Sequence, residues 1–130
     1  MPYTVKQIRR FIQSLQVKIC EKYGYTVCTH GSLKRDIDLV LIPWTDEAKD
    51  HITLIEAVRE HIRKRFGKAD LHPLERDEYF LSGCIGNKPH GRLVWTFYID
   101  DEIYFDISVM PRKRRSIKML SAKTPLIKKE

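Results

Sequence analysis

Apolar residues recur at helical spacing in two stretches of the chain. The first stretch runs from Thr4 to Tyr23, and its apolar positions fall every three or four residues, as on one face of an amphipathic helix. Thr4 has the chemistry of an N-cap, and Gly24 is suited to end the helix in a left-handed conformation. The second stretch runs from Thr45, the expected N-cap, to Phe66. The pattern therefore predicts two amphipathic helices.

The segment between these helices alternates with the period of a strand. Tyr25–His30 and Asp36–Ile42 are rich in β-branched and apolar residues, and a Gly-Ser pair separates them. Successive side chains of a strand point to opposite faces of a sheet. Asp36 and Asp38 are therefore predicted to share one face with Val40 and Ile42, while Ile37, Leu39 and Leu41 share the other.

The C-terminal half contains a predicted hairpin. Leu93–Ile99 and Glu102–Met110 read as its two strands, joined by two aspartates, and the alternation places Asp106 on the more polar face. Residues 68–91 are punctuated by Pro and Gly, and we expect loops with one short strand or helical turn near Tyr79–Ile85. Together these elements predict an α/β (α+β) domain over residues 1–111. It has a mixed sheet of about four strands with two main helices packed on one face.

Positive charge is concentrated at the C-terminal end of the chain. The sequence has 24 Lys and Arg against 17 Asp and Glu, a net charge of +7, and the excess lies in residues 112–130. We predict a basic helix or tail here, which attracts the phosphates of nucleic acid, or an acidic protein; the alternative is a tail that only promotes solubility. The candidate nucleic-acid-binding residues are Arg112, Lys113, Arg114, Arg115 and Lys118.

Other features bound the location of the protein. No apolar run approaches the roughly 20 residues that span a bilayer, and the N-terminal residues do not resemble a signal peptide. The 3 cysteines include no Cys-x-x-Cys pair, which disfavours both a disulfide framework and a zinc site. We therefore expect a cytoplasmic protein with no membrane partner, and the sequence leaves its oligomeric state open.

Asp36 and Asp38 are the strongest chemical signal in the sequence. Two carboxylates on one face of a strand repel each other and raise each other's pKa unless a cation lies between them. Asp106 joins them if the hairpin lies beside the Asp36–Ile42 strand. Because oxygen ligands select hard cations, the three carboxylates predict a site for Mg²⁺ or Mn²⁺. The alternative is a solvated strand face that forms ion pairs with nearby basic residues.

The residues before this pair are suited to phosphate. Gly31 allows close approach of the backbone, and exposed N–H groups together with the Ser32 hydroxyl can bind phosphate oxygens. Ser32 has the alternative role of capping the local backbone. Lys34 and Arg35 add positive charge at the same place. His30 is either a general base or substrate contact, or a structural hydrogen-bond donor.

A second basic segment precedes the hairpin. Lys88, His90 and Arg92 lie close together in sequence, and this loop either recognises phosphate or a base or is a solvated loop. The candidate nucleotide-binding residues are therefore Gly31, Ser32, Lys34, Arg35, His90 and Arg92.

These motifs resemble those of the nucleotidyltransferase-fold superfamily, the polymerase-beta-like group. In that group Gly-Ser is followed by a loop, by two aspartates around one apolar residue, and later by a lone aspartate on a strand. The matching positions are Gly31, Ser32, Asp36, Asp38 and Asp106. The sequence is most similar to small stand-alone proteins of phages and bacteria, with a His-Gly-Ser-Leu to Pro-Trp pattern at residues 30–44. The Lys-Pro-His-Gly-Arg motif at residues 88–92 and the motif at residues 106–112, which ends in Met-Pro-Arg, also match.

The resemblance implies a reaction and a location. Asp36, Asp38 and Asp106 would be catalytic residues that hold Mg²⁺ or Mn²⁺, and a nucleoside monophosphate would pass from an NTP to a hydroxyl acceptor. If a phage encodes the protein, its location is the host cytoplasm. Most active members have a longer loop between Gly-Ser and the first metal aspartate than the 3 residues found here. This departure favours an alternative, an inactive module of the same fold that binds nucleic acid, a nucleotide or a host protein.

Overall fold

The computed structural model describes residues 2–71 and 91–112, which form a helical layer and one sheet. The helical elements are α1 (Val5–Leu15), a π-helical turn (Gln16–Cys20), α2 (Glu21–Tyr23) and α3 (His51–Phe66). The strands are β1 (Tyr25–His30), β2 (Asp36–Pro43), β3 (Asp70–Leu71), β4 (Leu93–Tyr98) and β5 (Tyr104–Val109). The element expected near Tyr79–Ile85 lies outside the described residues.

The first predicted helix is confirmed as a continuous run of α1, the π-helical turn and α2. The Thr4 side chain accepts a hydrogen bond from the Gln7 N–H, and the Gln7 side chain accepts one from the Thr4 N–H, which forms a capping box. Gly24 ends the run with φ +88°. Within the π-helical turn, Oε1 of Gln16 accepts a hydrogen bond of 2.6 Å from the Val27 N–H. This bond satisfies a donor of β1, an edge strand of the sheet.

Helix α3 begins later than predicted, and the assignment of Thr45 as its N-cap is wrong. The N-cap is Asp50, whose carboxylate accepts hydrogen bonds from the N–H and the hydroxyl of Thr53 at 3.1 and 2.6 Å. Thr45 instead begins a turn, in which its carbonyl accepts a hydrogen bond from the N–H of Ala48. Thr45 and Asp50 both have N-cap chemistry, but burial of Ala48 in the core favours the turn. The predicted end of the helix at Phe66 is confirmed.

Among the described residues the sheet has 5 strands in the order β1-β2-β5-β4-β3, one more than predicted. Strands β2 and β5 are parallel, and the other neighbouring pairs are antiparallel. The additional strand, β3, has only 2 residues, too few for an alternating pattern to reveal it. The predicted C-terminal hairpin is confirmed, but its connection is longer than two residues. In this connection the Asp100 side chain accepts hydrogen bonds from the N–H groups of Glu102 and Ile103.

Both long helices pack on the same face of the sheet, as predicted. The rings of Phe11 on α1 and Phe66 on α3 lie 5.4 and 5.8 Å from the ring of Phe105 on β5. Ile37 and Leu39 on β2 point toward this face and belong to the buried core. The structure is therefore a small mixed α+β domain, and the even-numbered residues of β2 and β5 point to the face opposite the helices.

Candidate active site

The pairing of β2 with β5 brings the three predicted carboxylates to one area of the sheet. These strands are parallel, and Asp38 lies directly beside Asp106, while Asp36 lies beside Tyr104. Because alternate residues of a strand share a face, Asp36, Asp38 and Asp106 all lie on the face opposite the helices. The condition set by the sequence, that the hairpin lies beside the Asp36–Ile42 strand, is therefore met.

A row of polar residues crosses the sheet at this level. Asp38 pairs with His30 on β1, and Asp106 pairs with Thr96 on β4. The row therefore runs His30, Asp38, Asp106 and Thr96 across four strands. His30 is exposed, and its side chain is the imidazole nearest in register to the carboxylates. This position is consistent with the first role predicted for His30, a general base or substrate contact.

The electrostatics of this area are dominated by negative charge. Burial, followed by the Asp36 carboxylate, raises the pKa of Asp38, and His30 lowers it. Burial also raises the pKa of Tyr104, with further contributions from Asp36, Tyr98 and the other two aspartates. Within the described parts of the chain, none of the strands contains Lys or Arg. The strands therefore supply no cationic side chain to offset the aspartates, a setting in which a bound cation reduces the repulsion.

The Gly-Ser turn lies against Asp38. Gly31 has φ +84°, and a methyl group in place of its α-hydrogen would lie 3.5 Å from Oδ2 of Asp38. Ser32 is exposed, as a phosphate contact requires. Leu33 is the next residue; it has φ 62° and is 2% exposed. Leu33 therefore anchors the short loop to the core, and only the first part of the loop faces the carboxylates.

Lys34 and Arg35 face a different group of residues. They line a cavity of about 520 Å³ together with the three acidic residues of the hairpin connection, which are Asp100, Asp101 and Glu102. The Arg35 carbonyl accepts a hydrogen bond of 3.1 Å from the N–H of Tyr104, which fixes the end of the loop to β5. The structure thus places these two predicted phosphate ligands beside carboxylates of the hairpin connection.

The predicted residues around the ends of the hairpin lie farther from the carboxylates. Arg92 directly precedes β4; its Nε is buried and has no hydrogen-bond partner among the described residues. The strand register puts it about 13 Å along the sheet from Asp106. Arg112 folds back on the domain and donates a hydrogen bond of 3.4 Å to the Ala48 carbonyl. Five predicted residues lie outside the described parts of the chain, namely His90, Lys113, Arg114, Arg115 and Lys118.

The donor set is suited to a hard cation. Carboxylate oxygens are the ligands that Mg²⁺ and Mn²⁺ prefer, and the half-buried Asp38 is stabilised in its ionised form by any nearby cation. Within residues 2–71 and 91–112, no group of three or more His, Cys, Asp or Glu side chains already stands in a metal-holding arrangement. The strand register fixes the backbone positions of Asp38 and Asp106 side by side, with Asp36 two residues away on the same strand.

Two aromatic residues beside the carboxylates were not predicted as site residues. The rings of Tyr98 and Tyr104 lie 5.0 Å apart on β4 and β5. Tyr104 is level with Asp36, so the pair borders the acidic area. The sequence already indicated that Tyr104 is near the site, because Tyr104 and Asp106 are two residues apart on one strand and therefore share a face. It was missed because the register between β2 and β5 is a long-range property.

Comparison with known proteins adds no assignment. Among the described residues, no helix is long and apolar enough to cross a membrane. The chain matches no protein family, no curated protein and no solved structure.

Proposed function

We propose that the protein is a metal-dependent nucleotidyltransferase that moves a nucleoside monophosphate from an NTP to a hydroxyl acceptor. The observation that carries this proposal is the register of β2 and β5, which puts Asp36, Asp38 and Asp106 on one face. Gly31, whose positive φ forms the turn, and the exposed Ser32 support a phosphate-binding role for the Gly-Ser turn. The motif resemblance to the polymerase-beta-like group agrees with this arrangement.

Each residue has a defined part in the proposed reaction. Asp36, Asp38 and Asp106 hold Mg²⁺ or Mn²⁺, which when bound offsets negative charge on the phosphates. The backbone at Gly31 and the Ser32 hydroxyl bind phosphate oxygens. The acceptor oxygen bonds to the α-phosphorus, the bond to the leaving pyrophosphate breaks, and the hydroxyl proton passes to a base. His30 is the side chain in register with Asp38 that can accept this proton.

A second candidate function is favoured by the loop between Ser32 and Asp36. Only 3 residues separate these positions, and the first of them, Leu33, is buried. This leaves few backbone N–H groups for a triphosphate. In addition, Lys34 and Arg35 line a cavity with acidic residues. The alternative is therefore an inactive module of the same fold that binds nucleic acid, a nucleotide or a host protein.

The first test is an assay for nucleotidyl transfer. The full chain is incubated with labelled NTPs, Mg²⁺ or Mn²⁺, and RNA, DNA, protein or small-molecule acceptors. We expect transfer by the wild type, none by the Asp36→Asn/Asp38→Asn variant, and normal transfer by Asp101→Asn, an exposed acidic residue of the hairpin connection. Transfer that survives the double substitution would show that the carboxylates are not the catalytic site.

The second test separates the enzyme from the binding module. Thermal-shift titration with each NTP, with and without Mg²⁺, measures ligand binding through the melting temperature. Stabilisation by an NTP that requires the metal and is lost in Asp38→Asn supports the enzyme. Metal-independent stabilisation by nucleic acid, without any response to NTPs, supports the module.

A further inference from the structure

Charge is separated between the two sides of the domain, although residues 1–111 have equal numbers of basic and acidic side chains. In residues 2–71 and 91–112 the helices contain 9 Lys and Arg against 3 Glu, whereas the strands contain no Lys or Arg. The basic residues of the helices are Lys6, Arg9, Arg10, Lys18, Lys22, Arg59, Arg63, Lys64 and Arg65. The helical side is therefore electropositive, on the face of the sheet away from the three aspartates.

Part of this positive charge lines a groove between the two long helices. The helices are antiparallel, because Tyr3 contacts Phe66 at one end while Ser14 contacts His61 farther along. The groove has a volume of about 420 Å³. Its described lining consists of Gln7, Arg10, Phe11, Ser14 and Lys18 on the first helix, and His61, Lys64 and Arg65 on α3.

The floor of the groove is fixed by contacts between the helices. The Oγ of Ser14 and the Nε2 of His61 are 3.0 Å apart, and the His61 ring stacks on Phe11 at 5.3 Å. Burial, and then the positive charges of Lys18 and Lys64, lower the pKa of His61. The imidazole therefore reports directly on charge in the groove.

The cations of the groove have few internal partners. The ion pairs found in the described ranges are Arg63 with Glu60 and Lys68 with Asp70, and neither lies in the groove. Within the same ranges Arg10, Lys18 and Lys64 form no ion pair and are exposed. Arg65 lies over the rings of Tyr3 and Phe66. A cluster of like charges without counter-ions is stabilised when an anion binds between them.

We propose that this groove binds the phosphate backbone of a nucleic-acid strand. Arg10 and Lys18 are eight residues apart, about 12 Å along the helix, and cations stand on both walls. This extended arrangement suits successive phosphates of a strand better than one isolated phosphate. Phe11, the aromatic residue of the lining, is 4% exposed and offers no face on which a base could stack. Binding is therefore independent of base sequence.

The proposed surface is independent of the proposed transferase reaction. It lies on the helical side of the sheet, and no residue of the acidic face contributes to it. The chemistry recognised is the phosphodiester chain, which RNA and DNA share, so both are included in the test.

The test measures binding of the full chain to fluorescent 20-nucleotide RNA and DNA strands of mixed sequence as a function of salt concentration. The groove variant is Lys18→Gln/Lys64→Gln. The matched control is Lys6→Gln/Lys22→Gln, which removes the same charge from exposed positions of the first helical run outside the groove. We expect the groove variant to bind about tenfold more weakly at 0.1 M salt, with the slope of log K against log salt reduced by about 1.4. The control is expected to bind within about twofold of the wild type.

A second readout locates the bound strand. It distinguishes binding in the groove from binding by the C-terminal basic residues alone. The NMR signals of the His61 imidazole are expected to shift when either oligonucleotide is added to the wild type, and to shift less in the groove variant. The proposal is overturned if the groove variant and the control bind alike, or if the His61 signals stay unmoved while the strand is bound. It is also overturned if vesicles containing phosphatidylserine, but neither oligonucleotide, bind through Lys18 and Lys64.

Discussion

Replacing Asp38 by Asn is predicted to make the metal-free protein more stable while removing its proposed activity. Asp36 and Asp38 lie on one face of β2, and burial first, then the charge of Asp36, raise the pKa of Asp38. Without a cation, this repulsion opposes folding. Asn keeps the size of the side chain and removes its charge, so the substitution tests the cost of the charge, from burial and repulsion together, separately from packing.

The size of the effect follows from the spacing of the two residues. Positions two apart on a strand are separated by about 6.6 Å, so two unit charges repel by about 0.6 kcal/mol in water and about 2.5 kcal/mol at a dielectric constant of 20. Asp36 is exposed and Asp38 is half-buried, which puts the value toward the lower limit. We expect the free energy of unfolding to rise by about 1 kcal/mol, or the melting temperature by about 3 °C.

The assay is thermal and urea unfolding of the full chain at pH 7.5 in EDTA, with Asp101→Asn as the control for loss of an exposed acidic residue. Saturating Mg²⁺ is then expected to stabilise the wild type more than the Asp38→Asn variant, because binding to the folded state raises its stability. If Asp38→Asn unfolds at a lower temperature than Asp101→Asn, the repulsion inferred between the carboxylates is absent and the reasoning fails.

Three further predictions concern the scaffold. Gly24→Ala is expected to lower the free energy of unfolding by more than about 2 kcal/mol, and Gly67→Ala by only about 1 kcal/mol. Both glycines have φ near +90°, but an added methyl group would lie 2.7 Å from backbone at Gly24 and meet nothing within 4 Å at Gly67. Equal losses of unfolding free energy for the two variants, measured by urea unfolding, would contradict this difference. Asp50→Ala is expected to cost about 1 kcal/mol and Asp50→Asn much less. Hydrogen bonds from Thr53 lower the pKa of Asp50 from its ordinary value of 3.8. The stabilisation from the Asp50 charge is therefore present above pH 3.8 and is lost as the pH falls through the lowered pKa. Pulsed iodoacetamide labelling, read out by peptide mass spectrometry, is expected to modify the exposed Cys28 before the buried Cys20. Burial raises the pKa of Cys20 to about 12. Faster labelling of Cys20 than of Cys28 would show that the helix around Cys20 opens readily.

The local elements could be predicted because their signals are local. The helical period and the caps at Thr4 and Gly24 lie within a few residues of each other, and the structure has them as predicted. The start of α3 was predicted wrongly because Thr45 and Asp50 both have the chemistry of an N-cap. The burial of Ala48, which distinguishes the two positions, depends on tertiary packing. Strand β3 was missed because 2 residues carry no period.

The site depended on one long-range pairing. Alternation within a strand predicted correctly that Asp36 and Asp38 share a face, and that Asp106 lies on the polar face of its own strand. The pairing of β5 with β2, which puts Asp106 level with Asp38, could not be predicted from local patterns because it joins distant parts of the chain. The basic groove was missed for a similar reason, because an overall count of charges does not show how the helices separate them.

The most direct test of the central claim is a crystal structure of the protein with Mn²⁺ and a non-hydrolysable NTP. The account predicts an anomalous scattering peak about 2.2 Å from carboxylate oxygens of Asp36, Asp38 and Asp106, with the triphosphate at the Gly31 turn. Absence of a peak at these carboxylates at saturating Mn²⁺, or a peak held by other residues, would contradict it.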